Sequence, residues 1–484
     1  MKKRTISALC TAALLLCCVS GCGTESGTSS APADGGASAP AESSAEDSES
    51  TEKTGNTVSS TQKTSVFSVN GQKIYNSGPA LYVINDDNTF EYVENAEQKK
   101  NLNPETDYPA YIHVPVQQVK NGSDLLGFDD NDLVLIDLSD LNNVNQKVIY
   151  TLDQLVPVLT DKIGENSDED GLGNETIAYD LLSHAPDSMV DGGDGFLYGV
   201  YIPSANVFST AQPIAFEFYR LARDGSKFEF VGDDVRAYDI AAKDGYIYYF
   251  NGGYAYSAEN GEQLNASEVG IYRMKLDSTD KTQLVKLELQ NDFSAEPYNA
   301  MFAAGRLDIV GDELYYIGTD SKLYKIGLDG GSPTEVTSSK CNNYYIDTAS
   351  DTLYYIKGEF RREAPEGVMI VSVPLQGGDE KELFTTSQTS SLGGYMSVDG
   401  DYLYLSNDSY YSPILMNTSY TDRTKEPFTP RPCGRRWNLR DGFMEMLYSE
   451  IDVVMERGTF DNLTVKSVGK VSIHWEKDYH EIFN

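Results

Sequence analysis

The stretch Asn166-Ser167-Asp168-Glu169-Asp170-Gly171 sets oxygen ligands at alternate positions and closes on a glycine. A hard divalent cation takes such ligands from a tightly turned backbone, so this is how a calcium loop opens. Asn166, Asp168 and Asp170 are the candidate metal ligands, and calcium is the candidate cofactor. A complete helix–loop–helix site places Glu at the twelfth position, where Ile177 stands, so Glu175 and Asp180 would have to substitute. A solvated acidic loop is the competing reading. Other chemistry is thin. The four histidines are His113, His184, His474 and His480, and none belongs to a His-Glu-x-x-His pair. No Gly-x-Ser-x-Gly elbow and no glycine-rich phosphate loop occurs. His474, Glu476 and His480 gather near the end of the sequence but match no standard metal spacing. No catalytic residue is assigned, and the expectation is a chain that is not an enzyme.

One cysteine carries a different chemistry. Lys2, Lys3 and Arg4 precede an apolar run from Ile6 to Val19, too short and wrongly flanked for a spanning helix. Residues 1–21 therefore read as a signal peptide. Ser20 and Gly21 stand before Cys22, with Val19 three places upstream of it. This pattern resembles the lipobox of bacterial lipoproteins, which implies that the Cys22 thiol forms a thioether to diacylglycerol. Residues 23–64 contain no aromatic residue, no Leu and no Ile. Such a segment buries too little apolar surface to offset its ordering entropy, so 22–64 is expected to be a disordered tether, about 35 Å from end to end as a coil. The expected location is the outer face of a cell membrane.

The remaining stretch, 65–484, is ample for a large core. A formal net charge of −36 argues against nucleic acid, whose phosphates it would repel. Beyond Cys22 only Cys341 and Cys433 remain in the mature chain, which is no disulfide framework.

The elements that must position any site announce themselves by repetition. Asp244-Gly245-Tyr246-Ile247-Tyr248-Tyr249 returns as Gly311-Asp312-Glu313-Leu314-Tyr315-Tyr316, as Ser350 to Tyr355 and as Gly400 to Leu405. Asp194 to Tyr198 fits the same template, and Pro79 to Val83 fits it loosely. Each copy is a turn followed by a β-branched or aromatic run, and Ile271 to Asp277, Leu323 to Asp329 and Ile370 to Leu375 form the next strand. Steps of 50, 67, 39 and 50 residues from Tyr198 through Tyr404 predict an all-β propeller of four-stranded blades. Seven blades are favoured, with six or eight also compatible. In this count Leu133 to Leu138 completes the blade opened at Tyr82, and Asp441 to Met446 begins a divergent last blade over 429–484. Helices are expected at 151–163 and 176–184, in an insertion over 151–190 between the first two blades. The tyrosines at the shared position are expected to pack between blades.

The Tyr-Tyr strand and the Ile-Tyr-Arg-Met-Lys-Leu-Asp strand resemble the β-propeller of low-density-lipoprotein-receptor-related proteins in its bacterial form. That form implies a surface lipoprotein of Gram-positive bacteria carrying a domain of unknown function. The match covers about Asp194 to Thr424 and departs from the Tyr-Trp-Thr-Asp signature, since Tyr248-Tyr249-Phe250-Asn251 lacks Trp and Thr-Asp. The expected function is a lipid-anchored extracellular binding or scaffold module whose propeller surface meets a protein or glycan. The alternative is a carbohydrate-active hydrolase or lyase.

Overall fold

The turn dipeptides close hairpins by going left-handed. Asp244 and Gly245 turn at φ 51° and 82°, and Asn70 and Gly71 at 50° and 82°. Two successive positive φ values give the turn whose twist matches that of paired strands, which is why Asp-Gly and Asn-Gly stand there. The computed structural model describes residues 60–77, 80–96, 100, 116–118, 124–129, 131–164, 173–201, 217–231, 237–251, 254–257, 261–264, 268–288, 305–359, 368–386, 395–406, 415–419, 434–459, 462–468 and 472–477. Cys22 and the proposed calcium ligands Asn166, Asp168 and Asp170 lie outside these residues.

Seven antiparallel sheets form a propeller. Blade 1 comprises Val66–Val69, Gln72–Asn76, Leu81–Ile84 and Phe90–Tyr92. Blade 2 comprises Val116–Gln118, Asp124–Asp129, Asp132–Asp137 and Asn145–Tyr150. Blade 3 is built from Met189–Asp191, Phe196–Tyr201, Glu217–Ala222 and Phe228–Phe230. Ala237–Lys243, Tyr246–Asn251, Gly270–Lys275 and Thr282–Lys286 make blade 4, with a two-stranded hairpin inserted before its third strand. Blade 5 has Gly305–Val310, Glu313–Ile317, Leu323–Gly327 and Thr334–Glu335. Blade 6 has Cys341–Asp347, Thr352–Lys357, Val368–Pro374 and Lys381–Thr386. Met396–Asp399, Tyr402–Leu405, Gly434–Asn438 and the long strand Phe443–Thr459 make blade 7. That long strand also pairs with Leu415–Ser419, Asn462–Val468 and Ser472–Lys477.

The blade number agrees with the repeat, but its partition does not. Leu133 to Ile136 lie in a blade of their own, whose first two strands, Val116–Gln118 and Asp124–Asp129, stand between the Tyr82 strand and Leu133. Asp441 and Gly442 turn between the third and fourth strands of blade 7 and open no new blade. The two misassignments cancel. Both arise because every hairpin of a propeller offers a turn followed by an apolar run, whichever strands it joins. The second strand of blade 1 is Gln72–Asn76 after Asn70-Gly71, while Tyr82 sits in the third.

Among the described residues seven hydrophobic clusters hold the blades, one at each interface around the ring. The paired tyrosines follow from strand geometry, since successive side chains point to opposite faces. Tyr248 packs with Leu314 and Tyr316 between blades 4 and 5, while Tyr249 packs with Tyr198 and Phe218 between blades 3 and 4. Tyr315 and Tyr355 meet between blades 5 and 6, and Tyr404 joins Tyr75 and Tyr82 between blades 7 and 1. A Tyr-Tyr pair thus wedges both neighbours of its blade. Cys341 is buried and free, and Cys433 lies outside the described residues.

The expected helices are α1 (Leu152–Ile163) and α2 (Asn174–Ser188), and they lie between blades 2 and 3. Thr151 caps α1: its Oγ1 accepts the Gln154 N–H at 3.2 Å, and Gln154 Oε1 accepts the Thr151 N–H at 2.9 Å. Leu155 and Leu159 of α1 and Ile177, Leu181 and Leu182 of α2 bury against both flanking blades.

Candidate functional site

The first strands of blades 4, 5 and 6 share an irregularity. Register shifts fall between Ala237 and Ile240, between Gly305 and Asp308, and between Cys341 and Asn343. A bulge re-aims side chains and interrupts pairing, and here three lie in successive blades. In blade 5 the bulge holds Arg306 at φ 57°, a left-handed conformation that costs a side-chain-bearing residue free energy. Its guanidinium lies 4.2 Å from the Tyr344 ring centroid, and its Nε donates to Asp308 Oδ2 at 3.2 Å. The Tyr344 hydroxyl donates to the Arg306 carbonyl at 3.2 Å. In blade 4 the bulged Asp239 accepts the Leu307 N–H of blade 5 through Oδ2 at 3.3 Å.

A strap completes this place. Residues 60–65, of which 60–64 were expected to belong to the tether, run across the first strands. Ser60 bridges Val310, the Thr61 N–H donates to the Ile309 carbonyl at 2.8 Å, and Thr61 Oγ1 accepts the Ile309 N–H at 2.8 Å. The buried Gln62 side chain stands in for a strand partner: its Nε2 donates to the Ile346 carbonyl at 3.1 Å and its Oε1 accepts the Ile346 N–H at 2.8 Å. Ser65 then meets Ser397 Oγ at 2.7 Å and donates to the Tyr404 carbonyl at 3.0 Å. Between these anchors, Lys63 Nζ donates to the Asp187 carbonyl at the end of α2.

Together the strap, α2 and the bulged strands line an open-mouthed cavity of about 320 Å³. Its polar wall carries Lys63, Asp187, Asp239, Arg306, Asp308 and Tyr395. Val190, Val200, Ile240 and Leu307 form an apolar wall. The Tyr395 hydroxyl donates to Asp187 Oδ1 at 3.0 Å, and Lys63 Nζ lies 5.8 Å from the Tyr395 ring centroid. Burial holds the Lys63 amine below its ordinary pKa, and Arg306 pushes the same way, against the pull of Asp187, Asp239 and Asp308. Burial also opposes the Arg306 charge, but Asp308 and its neighbours outweigh it and raise the guanidinium's pKa.

Of the histidines singled out in the sequence, His184 reaches this cavity; it is exposed, and its Nδ1 lies 2.7 Å from the Asp180 carbonyl. His474 stacks with Tyr448 in the outer part of blade 7, away from the cavity. Among the described residues no cluster of three His, Cys, Asp or Glu is arranged to hold a metal, and no helix is long and apolar enough to cross a membrane. Sequence reading missed Lys63, Asp187, Asp239, Arg306, Asp308 and Tyr395. One signal was available: Asp239, Arg306 and Asn343 each stand four residues before the end of a first strand, polar in otherwise largely apolar runs.

The chain is thus a seven-bladed propeller with a polar cavity where its first strands converge. No protein-family model matches it, and no curated protein does. Solved structures are similar in fold. A nidogen–laminin complex matches at 12% identity and a TM-score of 0.32, over 58% of this chain and 84% of that one. Oligogalacturonate lyase in complex with manganese matches at 9% identity and a TM-score of 0.41, over 73% and 95% respectively. Prolyl endopeptidases match at 12% identity and a TM-score of 0.39, over 87% of this chain and 54% of that one. Of the expected resemblance, the structure shows the β-propeller fold. The expectation that the chain is not an enzyme is corrected: structures of this fold include a lyase and peptidases, so missing motifs do not set catalysis aside.

Proposed function

We propose that this chain is an extracellular binding module, held to a membrane by a diacylglyceryl group on Cys22, and that it takes its ligand at the cavity beneath the strap. The observation that carries the reading is the assembly of that cavity. Strained and bulged first strands, the end of α2 and the strap converge on one concave place with a polar and an apolar wall. Concave places that join an apolar wall to a few convergent polar groups are where small ligands are bound, and strain persists where surrounding structure holds it for use. Protein and glycan arrays on the purified chain, compared with Lys63→Gln, test it. A partner lost in the variant at unchanged melting temperature supports the reading, and a partner bound equally by both overturns it. Turnover of an array ligand would place the same cavity in an enzyme. For the anchor, Cys22→Ser should abolish diacylglyceryl labelling, and unchanged labelling would remove Cys22 from that role.

A further inference from the structure

We infer that the cavity takes a neutral, polyhydroxylated ligand, the end of a saccharide; this rests on the reading of the cavity as the ligand site and names its ligand class. The volume of about 320 Å³ sits at the lower end of the range typical of small-molecule sites, about 300–1,000 Å³, which fits a short saccharide rather than a folded partner.

The lining decides between ligand chemistries. Donors and acceptors alternate within hydrogen-bond reach of one another: the Arg306 guanidinium beside the Asp308 carboxylate at 3.2 Å, and the Tyr395 hydroxyl on Asp187 at 3.0 Å. A sugar hydroxyl donates and accepts at once, so it can enter such a lattice without leaving either charge unmatched. An anion would face the carboxylates of Asp187, Asp239 and Asp308 and a chain of net charge −36. A cation would be set beside Lys63 and Arg306, and Arg306 cannot swing aside easily because Tyr344 stacks on it and the bulge fixes its backbone. Either ion would lose its hydration against a like charge, which costs more than a hydroxyl's desolvation. An extended peptide would need free main-chain groups along a strand edge. The strap already takes the Ile309 and Ile346 main-chain groups beside the cavity, leaving mainly side-chain chemistry. The aliphatic wall of Val190, Val200, Ile240 and Leu307 offers a surface for the C–H face of a sugar ring.

The test is an array of neutral oligosaccharides, followed by saturation-transfer NMR and calorimetry on the full chain with the methyl glycoside of the strongest hit, its uronate and its amino-sugar analogue. The neutral glycoside should bind at least about tenfold more tightly than either charged analogue, and Asp239→Asn and Lys63→Gln should each weaken it about tenfold at near-native melting temperature. No binding by any neutral saccharide, or equal or tighter binding of a charged analogue, overturns the inference. The two levels separate cleanly. A peptide or charged ligand lost in both variants sinks the saccharide class and keeps the cavity as the site. A saccharide bound equally by both variants removes the cavity itself.

Discussion

Tyr315 and Tyr354 hold the same register in the second strands of neighbouring blades, yet their surroundings differ. Tyr315 is 3% exposed between blades 5 and 6, whereas Tyr354 is only partly buried at the edge of the cluster between blades 6 and 7. Tyr315→Ala should therefore cost about 3–5 kcal/mol, the range for emptying a buried aromatic site, and Tyr354→Ala about half of that. Urea unfolding of both variants measures the ratio; equal losses would mean that burial does not set the cost. Glu380 makes a second residue-scale prediction. Its carboxylate accepts the Ser338 and Ser339 N–H groups at 2.8 and 3.1 Å and the Ser339 hydroxyl at 2.7 Å. Desolvation pushes its pKa up, but these bonds outweigh it and bring the group from 4.5 to about 2. A depressed carboxyl pKa contributes stability present above the unfolded value and lost as pH falls through the folded one. The melting gap between the native chain and Glu380→Gln should thus be full at pH 7 and shrink between about pH 4.5 and 2. A constant gap would assign Glu380 a purely steric role. At this scale the template tyrosines were legible because one packing environment recurs. Asp239 and Arg306 were not, because a bulged polar residue leaves no motif and its neighbours come from distant blades.

The strap shows why an element can be invisible in sequence. Residues 60–65 have the polar composition of the tether before them, and nothing in their own pattern says that strand edges wait across the fold. Only Gln62, whose amide carries both donor hydrogens and an acceptor oxygen, has the chemistry to imitate a backbone pair, and it takes both groups of Ile346. Gln62→Ala should leave those main-chain groups without this partner and cost about 1–3 kcal/mol, with faster amide exchange at Ile346 than at Ile317. Unchanged protection at Ile346 would show the strap to be passive. The start of α1, by contrast, is legible in the sequence, because Thr151 and Gln154 form a capping box ahead of apolar residues at helical spacing. For the loop between them, millimolar calcium is expected to raise the melting temperature, by mass action on the native state. Asp168→Ala with Asp170→Ala should erase that gain; an equal gain in the double variant would leave only general screening.

At the scale of the whole ring, the period of the repeat shows that the chain is a propeller but says nothing of how the last blade meets the first. Among the described residues no strand pairing joins blade 1 to blade 7, since each takes its four blade strands from its own end of the chain. The seam must be held by side chains. Lys73 and Asp399 pair across it at 2.6 Å, but Lys73 is about half exposed, and such pairs contribute roughly 0–1 kcal/mol. Tyr75 lies deeper. Its hydroxyl donates to the Leu405 carbonyl at 2.6 Å and accepts the Arg435 N–H at 3.1 Å, while its ring packs on Tyr404 and Trp475 with centroids at 5.3 and 6.0 Å. Gly434 makes room for it, because a Cβ there would stand 2.7 Å from the Tyr75 hydroxyl oxygen. Tyr75→Phe keeps the ring and deletes the bond to a buried carbonyl, for a cost of about 1–3 kcal/mol, while Lys73→Met should move stability by less than about 1 kcal/mol. Gly434→Ala should act like the former, by pushing Tyr75 off its partner. If the seam is the ring's weak joint, both damaging variants should speed exchange first at Gln72–Asn76 and Tyr402–Leu405, ahead of Glu313–Ile317 in blade 5. Uniform acceleration through all seven blades would mean instead that the ring opens as one cooperative unit and that the Tyr75 seam is no weaker than the other interfaces.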